Sequence, residues 1–389
     1  MNAPLMDPAA IQQQAHQLLA AERWADAEQL LRQALASGTG PIPLWRQLFY
    51  AVRPQGKIAE ARQILEMIVQ TVPGDMSARF DLSEILLIQG EFGRGWREYR
   101  FRYKLDHTVM ISRHVQKPRW EGQSIKGKTL LIHDEQGYGD TFQFLRMVAW
   151  ARERSGARII LEVNHESFSL AQRISGFDDI IVRGTIPPPF DLHCELMSLP
   201  MAMGLQLSQL PGTPMPYLTP DPQRVAHWRA RLADLPRPLV GLVWAGRPTH
   251  TNDVRRSLKL DDLAPLAQEG VTFVSVQKGP ASAQTATPPA GMSLVSLSDE
   301  IKDFEDTAAI FMLLDTLVSV DSSPVHLAGA LGRPAWVMLP FMPDWRWLLG
   351  RNDSPWYPST RLFRQPAPGQ WGPVLQAISS QLQTLKAGT

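Results

Sequence analysis

The sequence predicts a mixed α/β protein, with two α/β lobes, each on a parallel sheet, behind an all-helical N-terminal region. Three observations carry this. Residue types recur every 34 positions through the first hundred residues, short apolar runs then alternate with helical stretches twice over, and a proline-dense stretch separates the two alternations.

The repeat is visible residue by residue. Ala27, Ala61 and Gly95 are 34 apart, as are Trp24, Ile58 and Phe92, and Leu31, Leu65 and Tyr99. Gly56 and Gly90 keep the same interval, with Glu22 in the earlier slot. Small residues let paired helices approach, and the larger residue three positions earlier fills the space beside them. A 34-residue helix–turn–helix period resembles the tetratricopeptide repeat. Such units stack because none buries its apolar face alone. The region offers a platform for a protein or peptide, or for a second copy of the chain; the plainer reading is a rigid structural cap. Ser112 to Gly127, with Pro118, Gly122 and Gly127, reads as the linker out of it.

The first alternation has strand candidates at Thr129–His133, Arg158–Val163, Ile180–Val182 and Asp191–His193, with a helix from Thr141 to Arg154. Prolines 211, 214, 216, 220 and 222 mark an inter-lobe connection, and a helix over Gln223–Leu235 follows it. The second alternation has strand candidates at Leu239–Trp244, Thr272–Val276, Ser293–Ser296, Thr316–Val320 and Ala335–Leu339. Its helix candidates are Asp261–Gln268, Asp306–Leu314 and Pro324–Leu331. The domains are therefore read as 1–110, 111–222 and 223–389, with the amphipathic helix Gln370–Lys386 packing back on the first lobe.

Composition narrows the function. A net charge of +1 gives no global attraction to nucleic acid or anionic membrane. The single cysteine, Cys194, excludes an intrachain disulfide and a cysteine zinc site. No secretory signal and no apolar run long enough for a membrane span is visible, so a cytoplasmic location is expected.

In open parallel sheets, ligands sit beyond the carboxyl ends of the strands, so chemistry is sought in the loops there. Asp134-Glu135-Gln136-Gly137-Tyr138-Gly139-Asp140 joins a strand to a helix, and its glycines allow close backbone approach to a ligand. It is not a dinucleotide fingerprint. Asp140 sits at the helix mouth, where the dipole favours negative charge. It is a candidate base for an attacking hydroxyl; the plainer alternative is an N-cap. The stretch from Trp244 to Ser257 carries Arg247, His250, Arg255 and Arg256, and arginine forks suit diphosphate oxygens; the alternative is a solvated basic loop. In Ser319–His326, Asp321, Ser322 and Ser323 can cap a helix and Pro324 suits its first turn, leaving backbone N–H groups for an anion; the alternative is an ordinary capped helix with a buried His326. Trp345, Arg346, Trp347, Trp356 and Tyr357 crowd a late stretch of a chain with 12 tryptophans. They read as rings near a ligand, or as core.

These loops resemble a known family. Asp134–Arg146, Gly241–Gly246, Asn252–Ser257, Val320–Ala330 and Asp344–Trp347 are similar, in order, to bacterial tetratricopeptide-repeat glycosyltransferases, whose catalytic half is similar to heptosyltransferases and whose layout is similar to O-GlcNAc transferases. The resemblance implies a GT-B fold of two Rossmann-like lobes. It implies an inverting, metal-independent transfer from a nucleotide-diphosphate sugar, with no cofactor. The family's Gly-x-Gly-Asp aspartate falls on Asp140, with Gln136, Gly137, Tyr138 and Gly139 as the acceptor-side loop. The donor side takes Trp244, Arg247, Arg255, Arg256, Lys259, Gln277, Asp321, Ser322, Ser323, His326 and Arg346; which of Arg255, Arg256 and Lys259 serves as the basic residue stays open. Heptosyltransferases carry a threonine-glycine form where this chain has Ser322-Ser323-Pro324, so the resemblance specifies no sugar. The repeat platform suggests a protein acceptor, such as a surface or flagellar protein, with a lipid or glycan as the alternative, and a homo-oligomer is left open. The competing readings are a degenerate transferase that only binds partners, and an epimerase of the same two-lobed layout.

Overall fold

The computed structural model describes residues 7–36, 38, 40–105, 115–212, 215–250 and 252–387. The chain forms two compact units, Met1–Ser112 with Phe341–Leu349, and Arg113–Pro340 with Gly350–Thr389. The boundary expected at 110/111 and the start of the expected linker lie outside the described residues. Residues 341–349, assigned from sequence to the last domain, group instead with the helices.

The first unit has helices α1 (Pro8–Ala20), α2 (Trp24–Ala34), α3 (Ile42–Val52), α4 (Ile58–Thr71), α5 (Met76–Ile88) and α6 (Phe92–Tyr99). Helices α2, α4 and α6 begin at Trp24, Ile58 and Phe92, spaced by the sequence period. Ala27, Ala61 and Gly95 are buried. A Cβ at Gly95 would stand 2.7 Å from Leu87 Cδ2, so the helix pair α5/α6 admits no side chain there. The turn before each of these helices needs a left-handed residue, supplied by Glu22 (φ 56°), Gly56 (φ 76°) and Gly90 (φ 82°). Ion pairs of opposite polarity join successive second helices, Arg32 to Glu60 at 2.6 Å and Arg94 to Glu66 at 2.7 Å. The Phe341–Leu349 segment is anchored by Trp345, whose ring meets Trp96 edge-on at 5.3 Å.

The second unit has two parallel sheets. The first holds β1 (Thr129–His133), β2 (Arg158–Val163), β3 (Asp179–Val182) and β4 (Leu192–Glu195), ordered β3-β2-β1-β4. The second holds β5 (Leu239–Val243), β6 (Thr272–Ser275), β7 (Ser293–Ser296), β8 (Thr316–Val320), β9 (Ala335–Leu339) and β10 (Thr360–Arg364), ordered β10-β9-β8-β5-β6-β7. In both, the chain builds three strands outward and then returns beside the first. The order therefore reverses between β1 and β4, and between β5 and β8, the positions where doubly wound sheets bind ligands.

The helices around these sheets are α7 (Tyr138–Phe144), α8 (Val148–Ser155), α9 (His165–Ala171), α10 (Leu199–Met203), α11 (Pro222–Arg231), α12 (Asp253–Arg256), α13 (Phe304–Phe311), α14 (Ser323–Ala330) and α15 (Gly372–Ala387). The helix expected over Thr141–Arg154 is two, joined by a 3-10 turn at Leu145–Met147. The helix expected over Asp261–Gln268 is a 3-10 stretch, Leu260–Leu266, in which Pro265 withholds a backbone donor. Strand β10 and helix α9 have no counterpart in the sequence reading. The closing helix also departs from expectation. Val374, Leu375, Ile378 and Leu382 of α15 enter the core of the second sheet with Leu260, Leu263, Phe273 and Met338, and Gln268 Nε2 donates to Ser379 O at 2.8 Å. Its apolar stripe finds its match in the leucines of the 260–266 stretch rather than on the first sheet.

Several contacts join the sheets within this unit. The Arg173 guanidinium holds the Glu305 carboxylate and donates to Thr219 O at 2.7 Å. The Tyr138 and Phe142 rings each meet Phe304 at 4.9 Å. Tyr217, in the proline-rich connection, donates its hydroxyl to Phe142 O at 2.8 Å.

Candidate active site

The loop after β1 turns into α7 at Gly137, whose extended backbone (φ −78°, ψ 162°) opens the helix. Asp140 lies three residues in. Its Oδ2 accepts the Gly137 N–H at 3.0 Å, so it closes the first turn from inside and is not the N-cap itself. Asp134, at the foot of the loop, is buried, and burial pushes its carboxyl up from the usual range. The backbone N–H and side-chain amide of Asn164 donate to its Oδ2 at 2.6 Å each, and Arg183 stands 3.4 Å from Oδ1. These contacts pull the other way without prevailing.

Gly139 faces α14. A Cβ there would lie 2.8 Å from His326 Cδ2 and 3.3 Å from Ser323 Cα. The first-sheet loop thus rests against the start of a second-sheet helix. That helix has Ser322 as N-cap and Pro324 in its first turn, and the Ser322 hydroxyl turns back to Val320 O at 3.3 Å rather than capping it. His326 is buried, its Nδ1 3.0 Å from the Tyr357 hydroxyl. Tyr357 packs on Gly329, where a Cβ would come within 2.4 Å of the ring.

Of the basic candidates, Arg256 is held at this helix mouth. Its Nη1 donates to Asp321 O at 2.7 Å, and its Nε to Asp253 Oδ1 at 3.3 Å. Gly246 makes room for that pair, since a Cβ would be 2.5 Å from Asp253 Oδ1 and 2.6 Å from Arg256 Nη2. Arg247, Arg255 and Lys259 are exposed on the same stretch. Arg247 is close enough to Tyr138 to act on its phenol, which burial first and the Glu166 carboxylate second push upward while Arg247 opposes them. Glu166, in the first turn of α9, was missed from sequence because α9 itself was.

Three assigned residues take other roles. Trp244 is fully buried in the second-sheet core, its Nε1 on Gln284 Oε1 at 3.0 Å. Gln277 accepts the Trp244 and Ala245 N–H groups and donates to Ala245 O and Lys278 O. With its amide used on backbone, it braces the loop. Arg346 belongs to the helical unit, where it pairs with Asp344 at 2.9 Å and lies 4.4 Å over the Trp345 ring. Trp345, Trp347, Trp356 and Tyr357 are all buried, so this aromatic stretch is core. Gln136 and Tyr138 are exposed on the acceptor-side loop. Among the described residues, no helix is long and apolar enough to cross a membrane.

No family model matches the chain. Protein FlbA of Caulobacter vibrioides is 29% identical over 344 residues, 81% of this chain and 56% of FlbA, so the chain spans little more than half that relative's length. Among solved structures, the glycosyl transferase family 9 protein of Veillonella parvula superposes with a TM-score of 0.50 at 10% identity, over 69% of this chain and all of that one. The ADP-heptose LPS heptosyltransferase II of E. coli gives a TM-score of 0.47 at 15% identity, over 67% and 99%. The paired parallel sheets and the Veillonella parvula likeness fit a GT-B-type, glycosyltransferase-like fold.

Proposed function

We propose that this protein is an inverting, metal-independent glycosyltransferase that moves a sugar from a nucleotide-diphosphate donor to a protein acceptor. The observation that carries the reading is the contact of Gly139 with Ser323 and His326. It sets the loop bearing Asp140 beside a helix mouth that the Ser322 hydroxyl does not cap, with the Arg256 cation close by. This supports a site in which a carboxylate from one sheet works with an anion-binding helix start from the other.

In the proposed reaction, the Asp140 carboxylate takes the proton from an acceptor hydroxyl (or orients an acceptor amide) as its heteroatom bonds to the anomeric carbon. The bond from that carbon to the diphosphate oxygen breaks on the opposite face. The nucleoside diphosphate leaves with the electron pair, its added charge met by Arg256 and the α14 N–H groups. The repeat period of the helical unit supports a protein acceptor, because stacked helix pairs present an extended surface for polypeptide.

The test is a thermal-shift screen against ADP-, UDP-, GDP- and CMP-linked sugars, then transfer assays with the sugar that binds. A bound nucleotide raises the melting temperature by mass action. Binding with no transfer to any acceptor would make the chain a binding protein, and a sugar altered without acceptor would make it an epimerase.

A further inference from the structure

A buried polar cluster at the β1/β4 reversal takes no part in this mechanism. His133 ends β1 and Glu195 ends β4, paired in register, with His193 two residues back on the same face of β4. Each is at most 4% exposed. His133 Nε2 and His193 Nδ1 stand 3.1 Å apart, His193 Nδ1 is 4.0 Å from Glu195 Oε1, and the three ligand atoms lie within 4.8 Å of one another.

We propose that His133, His193 and Glu195 form a divalent-cation site of the two-histidine, one-carboxylate type with its fourth position open to water, for which zinc is the fitting ion. Four-coordinate zinc, with bonds near 2.0–2.1 Å, separates its ligand atoms by roughly 3.3 Å. The two nitrogens already stand near that spacing, and the carboxylate has to close in from 4.0 Å to join them. Imidazole and carboxylate donors suit zinc among the common divalent ions.

The surroundings match what metal ligands require. The other His133 nitrogen, Nδ1, is 3.4 Å from Asp134 O, a partner that favours the tautomer protonated on Nδ1. Glu195 is oriented by Arg119, whose Nε and Nη2 donate at 2.7–3.2 Å, and by Ser198 Oγ at 3.1 Å. Arg119 adds positive charge beside Glu195, and Glu162, wholly buried, pairs with His133 in the β1/β2 register. The rival arrangement is a proton shared between the imidazoles. The ring centroids are 5.3 Å apart with planes at 24°, which an N–H···N bond also satisfies. The two states differ by an ion and a proton, so they can be told apart.

The experiment measures metal on the purified full-length chain after growth with zinc. About one zinc per chain is expected. Chelator-treated wild type should gain several degrees of melting temperature on adding zinc, with the gain lost in His193→Asn and Glu195→Gln. Cobalt(II) added to the chelated wild type should give the visible absorption of a four-coordinate site, a readout that needs no variant to fold. Less than about a tenth of an equivalent of any divalent metal, no thermal response to zinc and no cobalt band would overturn the proposal and assign the pair a shared proton. No sugar or nucleotide enters these measurements, so they stand apart from the transferase reading.

Discussion

Gly139 and His326 are in contact between the two sheets of the second unit, with a hypothetical Cβ at 139 only 2.8 Å from the imidazole Cδ2. The neighbour on one side is a ring held by the Tyr357 hydroxyl, and on the other the backbone of Ser323. Neither yields cheaply. Gly139→Ala should therefore cost about 1–3 kcal/mol of stability and lower transfer by displacing Asp140. Thermal unfolding and kcat/KM read the two effects separately. An alanine variant with wild-type values in both would show that the contact is slack.

Asp140→Ala should reduce transfer by about 10²–10⁴-fold, the usual contribution of a general base, while the nucleotide still raises the melting temperature. Asp140→Asn keeps a group that can accept the Gly137 N–H, so it separates catalysis from helix closure. Full activity in the asparagine variant would remove Asp140 from the chemistry.

Arg256 and Gly246 should behave as one unit, because the guanidinium fills the space a side chain at 246 would take. Arg256→Ala is expected to cost about 1–3 kcal/mol through the lost charged hydrogen bonds and to weaken nucleoside-diphosphate binding. Gly246→Ala should reproduce both losses, and the double variant should fall well short of their sum. Additive losses in calorimetric titration would contradict the shared role.

The helical unit should carry a pH dependence of its own. Burial pushes Asp81 up to about 7, with Glu84 adding to the shift and Arg53, Tyr50 and Arg46 opposing it. The folded state then holds this proton more tightly than the unfolded chain does. Its contribution to stability is present below about pH 4 and is lost as pH rises to about 7. The stability gap between wild type and Asp81→Asn should therefore move in the variant's favour from pH 5 to pH 8. A gap that is constant in denaturant titrations at both values would place Asp81 in water.

Much of this was legible in the sequence where the signal is local. The apolar runs of β1, β2, β7, β8 and β9 coincide with their strands end to end. The turn residues at 22, 56 and 90 adopt one backbone conformation, as their 34-residue spacing implies. What escaped depends on pairings that spacing does not encode. The arginines of β10 hide a strand that its neighbour β9 buries. Trp244 lies in a polar loop segment yet points into the core. His133 and Glu195 are brought together only because β4 returns beside β1. Arg346 sits in a motif of the right composition, but Trp345 carries it into the helical unit.

The placement of α15 has a consequence for how the molecule can be taken apart. Because the last helix seals the sheet from which the chain has just emerged, every strand and covering helix of that half comes from one stretch of gene beginning near α11, into which the 341–349 segment of the helical unit is set. A stop codon ahead of Gly372 would strip Val374, Leu375, Ile378 and Leu382 from their leucine partners and leave the four-stranded sheet's own residues untouched. Moving the six-stranded half onto a different partner thus requires the tail to travel with it, and carries along the 341–349 segment that groups with the helices.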